Sequence, residues 1–319
     1  MASVKKPQLA QTETIEELPL ACSAESEAVK FFEKQRWGDS PCCPECESTD
    51  VYQMKDRKTG ERNKDYRWRC RHCARVYSVR TGMIFEESLI PLRKWARAIW
   101  EAASAKNGVS ALEMSRKLQV SYKSALFMMH RIRFAMAEGP DAPKFTGTIE
   151  ADETYVGGKP RHRKPRSGPN NKAPKTPVFA VVERGGDVRA HVMASVTSEN
   201  VRRVLLESAE PSCDLMTDEL GLYKKIGKPF ASHSRVKHSE YEYVNPANPN
   251  IHTNTIEGFF SRVKRGLNGT YHAVSPEHLH RYVAGFAFMY NTRGMTDGAR
   301  TLDLIDRAKG KRLMYKQSA

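Results

Sequence analysis

Long apolar runs are missing from this sequence of 319 residues. No stretch approaches the roughly 18 apolar residues that a membrane-spanning helix needs. The N-terminal residues MASVKKPQLAQTETIEELPLA lack the apolar centre of a secretory signal peptide. No internal repeat is visible either. These absences argue against a membrane protein, a secreted protein and a repeat protein, so we expect a soluble protein in the cytoplasm.

The sequence has fewer acidic than basic residues. The chain has 52 Lys and Arg against 37 Asp and Glu, for a net charge of +15. The apolar fraction of 39% is modest, but it suffices for packed cores. Such a basic balance favours a polyanion as partner, and nucleic acid is the commonest one. The alternative is a basic protein without such a partner.

The length favours two or three domains. Gly and Pro in residues 138–143 break a helical pattern that runs from about 91 to 137. Strand patterns begin after this break and then alternate with helices, which is typical of a mixed α/β sheet domain. The predicted bounds are 1–30 for a polar N-terminal segment, 31–85 for a cysteine-rich domain, 86–140 for a helical domain, 144–295 for the sheet domain and 296–319 for a C-terminal tail.

Cysteines are scarce outside one region, because five of the seven lie between residues 42 and 73. Four of these five form two CxxC pairs, and in a reducing compartment such pairs indicate a metal site rather than disulfides. The predicted Zn²⁺ ligands are Cys43, Cys46, Cys70 and Cys73. Four thiolates leave no open position, so the predicted zinc is structural and the domain is a zinc ribbon. Cys42 is the alternative to Cys43, although the CPxC spacing favours Cys43.

Residues 108–125 have the pattern of a helix-turn-helix. Leu112 and Leu118 are predicted to pack the first helix, and Ser121 to cap a second helix that turns Ala125, Met128, Met129 and Ile132 inward. A recognition helix needs polar and basic groups on its outer face to reach phosphates and base edges. The predicted DNA-contacting residues here are Ser121, Tyr122, Lys123, His130, Arg131 and Arg133. The alternative is an ordinary three-helix bundle, which has the same apolar spacing.

Three carboxylates are candidates for chemistry in the sheet domain. Asp152 and Asp218 are predicted at strand ends, and Glu257 near the start of a helix that also carries Lys264 two turns later on the same face. Mg²⁺ prefers carboxylate and water ligands, and two such ions can break a phosphodiester bond. Lys264 is predicted to position a phosphate. The flanking Glu150, Glu153 and Glu219 are expected to be solvated surface charges.

The longest distinctive segments are CPEC…CRHC, GTIEADETYVGGK, MTDE and HTNTIEGFFSRVKRGLNGTYHAVSPEHLHRYVAGFAFMYNTR. Over about residues 25–295 the chain resembles DDE-type insertion-sequence transposases with an N-terminal zinc ribbon and a helix-turn-helix. The resemblance implies a multidomain α+β protein whose C-terminal domain is an RNase H-like mixed α/β catalytic domain. It implies Asp152, Asp218 and Glu257 as ligands of Mg²⁺ or Mn²⁺ and Lys264 as the basic catalytic residue. Asn254 is the alternative third ligand.

The implied activity is binding of terminal inverted repeats in double-stranded DNA, followed by strand cleavage and strand transfer by a homo-oligomer, with the protein associated with the bacterial nucleoid. The acid-free segment 159–175 (KPRHRKPRSGPNNKAPK) is expected to hold the DNA backbone through Arg161, Arg163, Lys164 and Arg166. A solvated loop without a partner is the alternative. Two other functions stay open: a DNA-binding regulator with an inert catalytic domain, and another RNase H-like nuclease.

Overall fold

The computed structural model describes residue 18 and residues 22–139, 141–157, 175–240 and 243–314. The chain divides into two compact units. The N-terminal unit runs to Met136 and also includes the chain from Gly294 onward, whereas the sheet unit comprises Ala137–Arg293.

The N-terminal unit begins with a helix and a small antiparallel sheet. These elements are α1 (Glu25–Trp37), β1 (Val51–Gln53), β2 (Trp68–Cys70) and β3 (Val76–Tyr77), with strand order β1-β2-β3. Trp37 of the helix packs edge-on against the rings of Trp68 and Tyr77, each at 5.9 Å. The Trp68 indole donates a hydrogen bond of 2.7 Å to Glu33. So short a sheet cannot bury a core alone, and α1 supplies the missing apolar surface.

Three helices follow in the same unit, namely α2 (Leu92–Ser104), α3 (Ala111–Leu118) and α4 (Tyr122–Met136). Ser110 caps α3 by accepting a hydrogen bond from the Glu113 backbone N–H at 3.1 Å. The helix ends where Gln119 takes a left-handed φ of 50°. Ser121 accepts from the Ser124 N–H at 3.1 Å, as predicted for a cap at the start of α4.

The sheet unit contains five strands in the order β6-β5-β4-β7-β8. They are β4 (Thr148–Val156), β5 (Thr176–Glu183), β6 (Val188–Val192), β7 (Asp214–Thr217) and β8 (Ser232–Arg235). The β4–β5 and β5–β6 pairs are antiparallel, whereas β7 runs parallel to β4 and β8 runs parallel to β7. The sheet is therefore mixed, as the alternation of predicted strands and helices indicates.

Helices cover both faces of this sheet. They are α5 (Ser198–Ser208), α6 (Tyr223–Ile226), α7 (Asn254–Gly266) and α8 (Pro276–Asn291). A 3₁₀ turn lies at His238–Glu240 and a π turn at Leu267–Tyr271. Strand β5, an interior strand of the sheet, has apolar residues on both faces. Phe179 and Val181 pack with α5 and α6 on one face. On the other face Val178, Ala180 and Val182 pack with α7 and α8. A strand buried on both faces reads as a continuous apolar run.

One strand end differs from the prediction. Strand β4 continues past Asp152 to Val156, so Asp152 lies inside the strand rather than at its end. Strand β6 stops at Val192, and Thr197 caps α5, because Thr197 Oγ1 accepts from the Asn200 N–H at 3.3 Å.

The end of the chain returns to the N-terminal unit. The segment expected as a tail contains helix α9 (Asp297–Arg307), which packs against α2 and α4. The Arg300 guanidinium donates to the Ala103 carbonyl at 2.9 Å, and Lys311 Nζ donates to the Ala135 carbonyl at 3.0 Å. Residues after Gly294 thus complete the helical core around residues 92–136.

Candidate functional site

Four cysteines of the N-terminal unit form a compact cluster. The Sγ atoms of Cys43, Cys46, Cys70 and Cys73 all lie within 4.8 Å of one another. The Cys43–Cys73 pair is 3.6 Å apart and the Cys46–Cys70 pair 3.7 Å apart. All four are free thiols, and Cys42 lies outside the cluster. This set of soft donors fits a tetrahedral Zn²⁺ ion, with Cys43 rather than Cys42 as ligand.

Local backbone geometry builds this cluster. Each CxxC pair is followed by a left-handed residue, Glu47 and Ala74, both with φ of 57°. The two turns therefore close in the same way and direct their thiols to one point. The backbone N–H of Cys73 donates to Cys70 Sγ at 3.5 Å, and such bonds lower the pKa of the Cys70 thiol to about 7. A thiolate is the form that binds a metal.

The acidic candidates come from three elements of the sheet unit. Asp152 lies on β4 and pairs with Ala180 of β5, so it points to the face covered by α7 and α8. Asp218 follows β7, the parallel neighbour of β4. Glu257 lies in the first turn of α7, the helix that covers the sheet face to which Asp152 points. Strand pairing and helix packing thus bring residues together that are far apart in sequence.

The neighbouring carboxylates affect the pKa of Asp152. Burial is the main reason that the pKa of Asp152 is raised to about 7, and the charges of Glu153, Asp218 and Glu257 raise it further. A hydrogen bond of 2.7 Å from the Glu153 N–H to Asp152 Oδ1 acts in the opposite direction. A half-buried carboxyl group with a raised pKa beside other acids is characteristic of functional sites and of sites that take cations. Among the residues described, these acids are nevertheless less closely gathered than the four cysteines.

Glu150 is fully buried, so its predicted role as a solvated surface charge is wrong. Its carboxylate accepts hydrogen bonds from Arg184 Nε at 2.6 Å and from Thr255 Oγ1 at 2.8 Å. It also accepts from the backbone N–H groups of Thr255 at 2.8 Å and Ile256 at 3.0 Å. N–H groups in the first turn of a helix have no acceptor within the helix, and the helix favours negative charge at this end.

The Glu150 contacts fasten α7 to β4. Glu150 and Asp152 are two positions apart on one strand and therefore point to the same face. Since Glu150 binds the first turn of α7, it sets the place of Glu257 in that turn relative to Asp152. Sequence reasoning missed this residue and its partner Arg184. The alternation along β4 was the available signal, because an acid sharing the buried face of Asp152 requires donors.

Glu153 and Glu219, also expected to be solvated, both have partners. Glu153 points to the opposite face from Asp152, as strand alternation predicts, and accepts a hydrogen bond of 2.7 Å from the Tyr223 hydroxyl. Burial is the main cause that raises the pKa of Glu153. Glu219 accepts from the Ser239 N–H at 3.1 Å and from its hydroxyl at 3.0 Å. Both acids thus have structural partners on the elements around Asp218.

The remaining candidates on α7 differ in exposure. Asn254, the first residue of the helix, is exposed, whereas Glu257 is half-buried and accepts a hydrogen bond of 3.0 Å from Thr253 Oγ1. The charge of Glu257 contributes to the raised pKa of Asp152. Lys264 is exposed two turns further along the same helix.

Half of the predicted recognition surface is buried. His130, Arg131 and Arg133 are 2%, 5% and 3% exposed, so their predicted place on the outer face of α4 is wrong. The guanidinium of Arg131 donates to the carbonyls of Leu313 and Glu86, and that of Arg133 to a carbonyl before α3. The two arginine side chains thus bind backbone carbonyls inside the unit instead of facing solvent.

The other helix-turn-helix expectations have mixed outcomes. Ser121, Tyr122 and Lys123 are exposed as predicted. The inward set of α4, Ala125, Met128, Met129 and Ile132, is buried as predicted. Leu112 is 55% exposed and therefore does not pack α3; the buried face of that helix is formed by Ala111, Met114, Ser115 and Leu118.

The structure bears differently on the predicted basic segment and on the expected lack of a membrane helix. The predicted DNA-contacting residues Arg161, Arg163, Lys164 and Arg166 lie outside the described residues. Among the helices that the structure does describe, none is long and apolar enough to cross a membrane.

Comparison with known proteins gives matches to both units. Residues 144–291 match the ISXO2-like transposase domain, and residues 23–76 match the transposase zinc-ribbon domain. The second match includes α1, which agrees with the packing of that helix on the small sheet. An uncharacterized protein in transposable element ISH50 of Halobacterium salinarum is 28% identical over 276 residues, which cover 82% of this chain and 90% of that protein. No solved structure gives a significant match.

These matches confirm the resemblance found in the sequence. The two domains follow one another in the expected order, and the zinc-ribbon match ends just past the second CxxC pair. The chain thus matches a transposase zinc-ribbon domain and, after it, an ISXO2-like transposase domain, in the order expected of an insertion-sequence transposase.

Proposed function

We propose that this protein is an active DNA transposase that binds the terminal inverted repeats of its element and catalyses Mg²⁺-dependent strand cleavage and strand transfer. The observation that supports it most directly is the placement of Asp152 inside β4, of Asp218 after the parallel neighbour β7 and of Glu257 in the first turn of α7. Burial, and then the charges of Glu153, Asp218 and Glu257, raise the pKa of Asp152 to about 7. The mixed sheet with helices on both faces supports an RNase H-like fold for residues 144–295.

The donor set suits a hard divalent cation. Carboxylate oxygens are the ligands that Mg²⁺ and Mn²⁺ prefer. Repulsion among the acids, visible in the raised pKa of Asp152, is relieved when a cation is bound. Asp152, Asp218 and Glu257 are therefore the proposed ligands. Glu257 is preferred to Asn254 because it is half-buried and carries the negative charge that Mg²⁺ favours in a ligand, whereas Asn254 is neutral and exposed at the helix start.

Two Mg²⁺ ions at this site would supply activation of the attacking oxygen and stabilisation of the leaving oxygen. The residues of the chain orient the reacting groups. Glu150 keeps Glu257 beside Asp152 by fixing the first turn of α7 to β4. Lys264, exposed two turns along α7, is placed to hold a phosphate of the DNA by its charge. The attacking group is water in cleavage and the freed 3′-hydroxyl in strand transfer.

The N-terminal unit is proposed to recognise DNA. Its zinc is structural, since four thiolates fill the coordination shell. The succession of α3, a three-residue turn and α4 supports the helix-turn-helix interpretation, with Ser121, Tyr122 and Lys123 exposed at the start of the second helix. Joining two element ends to one target requires at least two copies of the chain, so a homo-oligomer on DNA is part of the proposal.

The test is a strand-transfer assay with purified full-length protein loaded with zinc. A duplex with the terminal repeats of the element and a plasmid target are incubated with Mg²⁺, and nicked and joined products are resolved on gels. The variants are Asp218→Asn and the neighbouring Glu219→Gln, each of which removes one negative charge. We expect joined products from the wild type and Glu219→Gln and none from Asp218→Asn.

Binding without nicking or joining by the wild type would contradict the proposal and favour a DNA-binding regulator. Cleavage without joining would favour another nuclease. Products from Asp218→Asn at the wild-type rate would remove that residue from the site.

A further inference from the structure

A basic cleft lies in the helical part of the N-terminal unit, away from the cysteine cluster. It has a volume of about 270 Å³ and is lined by Arg93, Lys94 and Arg97 of α2, Lys117 of α3 and Gln119 of the turn after α3. Arg93 is exposed, and the side chains of Arg97 and Lys117 are 53% and 35% exposed. The cleft is thus a surface feature that collects four cationic side chains.

Helix electrostatics do not explain this placement. Arg93 and Lys94 lie in the first turn of α2, which has no acidic residue. Cations are disfavoured at a helix N-terminus, because the N–H groups there already carry partial positive charge. The carboxylate of Glu25 occupies the N–H groups of Leu92 and Arg93, at 2.8 and 3.1 Å, and also pairs with Arg80. The side-chain charges gathered in the cleft therefore do not serve to stabilise α2.

Nearby acids compensate only part of the charge. Glu101 lies 3.7 Å from Arg97 and 2.7 Å from Lys117, and Glu113 lies 2.9 Å from Lys117. A third carboxylate, Glu27, accepts a hydrogen bond of 2.9 Å from Ser23, which also lines the cleft. Three carboxylates therefore face four cations, and a smaller excess of positive charge remains. The Glu101 contacts also hold the ends of Arg97 and Lys117 near one another, which restricts two flexible side chains before a ligand binds.

The cleft is joined to the start of α4. Lys94 Nζ donates to the Gln119 carbonyl at 3.3 Å. Gln119 ends α3 in a left-handed conformation, and three residues later α4 begins with the exposed pair Tyr122 and Lys123. The cleft and the first turn of α4 thus belong to one surface. The basic residues in the second half of α4 are buried and cannot contribute to it.

We propose that this cleft binds a phosphate of the DNA backbone and so places the first turn of α4 against the duplex. The ligand is a phosphodiester, because a compact anion matches four converging cations and the chain carries a net charge of +15. This inference rests on the proposed function for the choice of DNA as the polyanion. Arg93, Lys94, Arg97 and Lys117 take the role that the sequence assigned to His130, Arg131 and Arg133.

The test measures binding of a fluorescent duplex by the full-length, zinc-loaded protein at several salt concentrations. The variants are Arg93→Gln and Arg97→Gln, singly and together. The matched control is Lys106→Gln, which also removes one exposed positive charge but lies beyond the other end of α2. Thermal unfolding is recorded for each variant to show that the exposed substitutions leave the fold intact.

Each phosphate contact contributes about 0.9 to the slope of log affinity against log salt. We therefore expect each single variant to lose about eightfold in affinity at 0.1 M salt, and the double variant to lose close to two units of slope. Lys106→Gln should bind as the wild type does. Unchanged affinity and slope in the double variant would overturn the proposal, as would an equal loss in Lys106→Gln.

The same preparations are assayed for Mg²⁺-dependent cleavage. A wild type that cleaves and joins DNA, with a double variant that binds normally, rejects the cleft and leaves the proposed function standing. A double variant that binds weakly, with a wild type that neither nicks nor joins, supports the cleft and rejects the catalytic proposal.

Discussion

The cysteine cluster and the acidic site are assembled in opposite ways. The four cysteines lie within residues 43–73, and two similar turns direct their thiols to one point. The acidic candidates span 152–257 and lie on β4, after β7 and on α7, three elements that pack in one unit. A site built from local turns depends on its metal for stability, whereas a site built from distant elements depends on the fold and on contacts such as those of Glu150.

Loss of zinc should give the largest effect and remain confined to the N-terminal unit. We expect Cys70→Ser to abolish zinc binding and unfold the ribbon, since structural zinc contributes on the order of 10 kcal/mol. All four tryptophans of the chain lie between residues 37 and 100. Tryptophan fluorescence and zinc content therefore report this unit. Cys42→Ser is the control and should retain zinc; loss of zinc from it would break the assignment of Cys43.

Loss of the Asp152 carboxylate should lower the cleavage activity and leave the fold intact. We expect Asp152→Asn to lower cleavage by about 10³-fold, since bound metal stabilises the transition state by several kcal/mol. DNA affinity should stay at the wild-type level. The assay is single-turnover cleavage with saturating protein. A cleavage rate within a few-fold of wild type would remove Asp152 from the catalytic site.

Glu150 should link fold and activity in the sheet unit. Glu150→Ala leaves Arg184 and the N–H groups of α7 without their buried acceptor. We expect a loss of about 3–5 kcal/mol in the free energy of unfolding, measured by urea titration with far-UV circular dichroism. The matched variant Glu153→Ala removes one hydrogen bond from Tyr223 and should cost about 1–2 kcal/mol. Equal losses would contradict the anchoring role of Glu150.

The smallest expected effect is a pH dependence in the sheet unit without Mg²⁺. The folded-state pKa of Asp152, about 7, is above the usual value for an unfolded chain. The folded protein therefore binds this proton more tightly, and its stability falls as pH rises from about 4 to 7. We expect Asp152→Asn to flatten this dependence by a few kcal/mol at most, as measured by urea titration at each pH. An unchanged dependence would place the titration elsewhere.

The errors of sequence reasoning have one common origin. The helical pattern of α4 correctly identified its inward apolar residues, but it placed Arg131 and Arg133 outside. Their burial depends on contacts distant in sequence, because Leu313 and Glu86 offer carbonyls to Arg131. Glu150 was misjudged for the same reason, since its donors come from Arg184 and from α7. Periodicity shows which residues share a face, but not what covers that face.

The sequence by itself determined the features that local chemistry encodes. The CxxC spacing specified the zinc site, because a short turn can hold two thiolates only at that spacing. The alternation of predicted strands and helices indicated a mixed sheet unit, and the motifs around Asp152, Asp218 and Glu257 identified the candidate acids. The tertiary structure alone decided which charged residues are buried as anchors and which remain at the surface. A buried charge requires donors or acceptors in place around it, and those groups come from elements that only folding brings together.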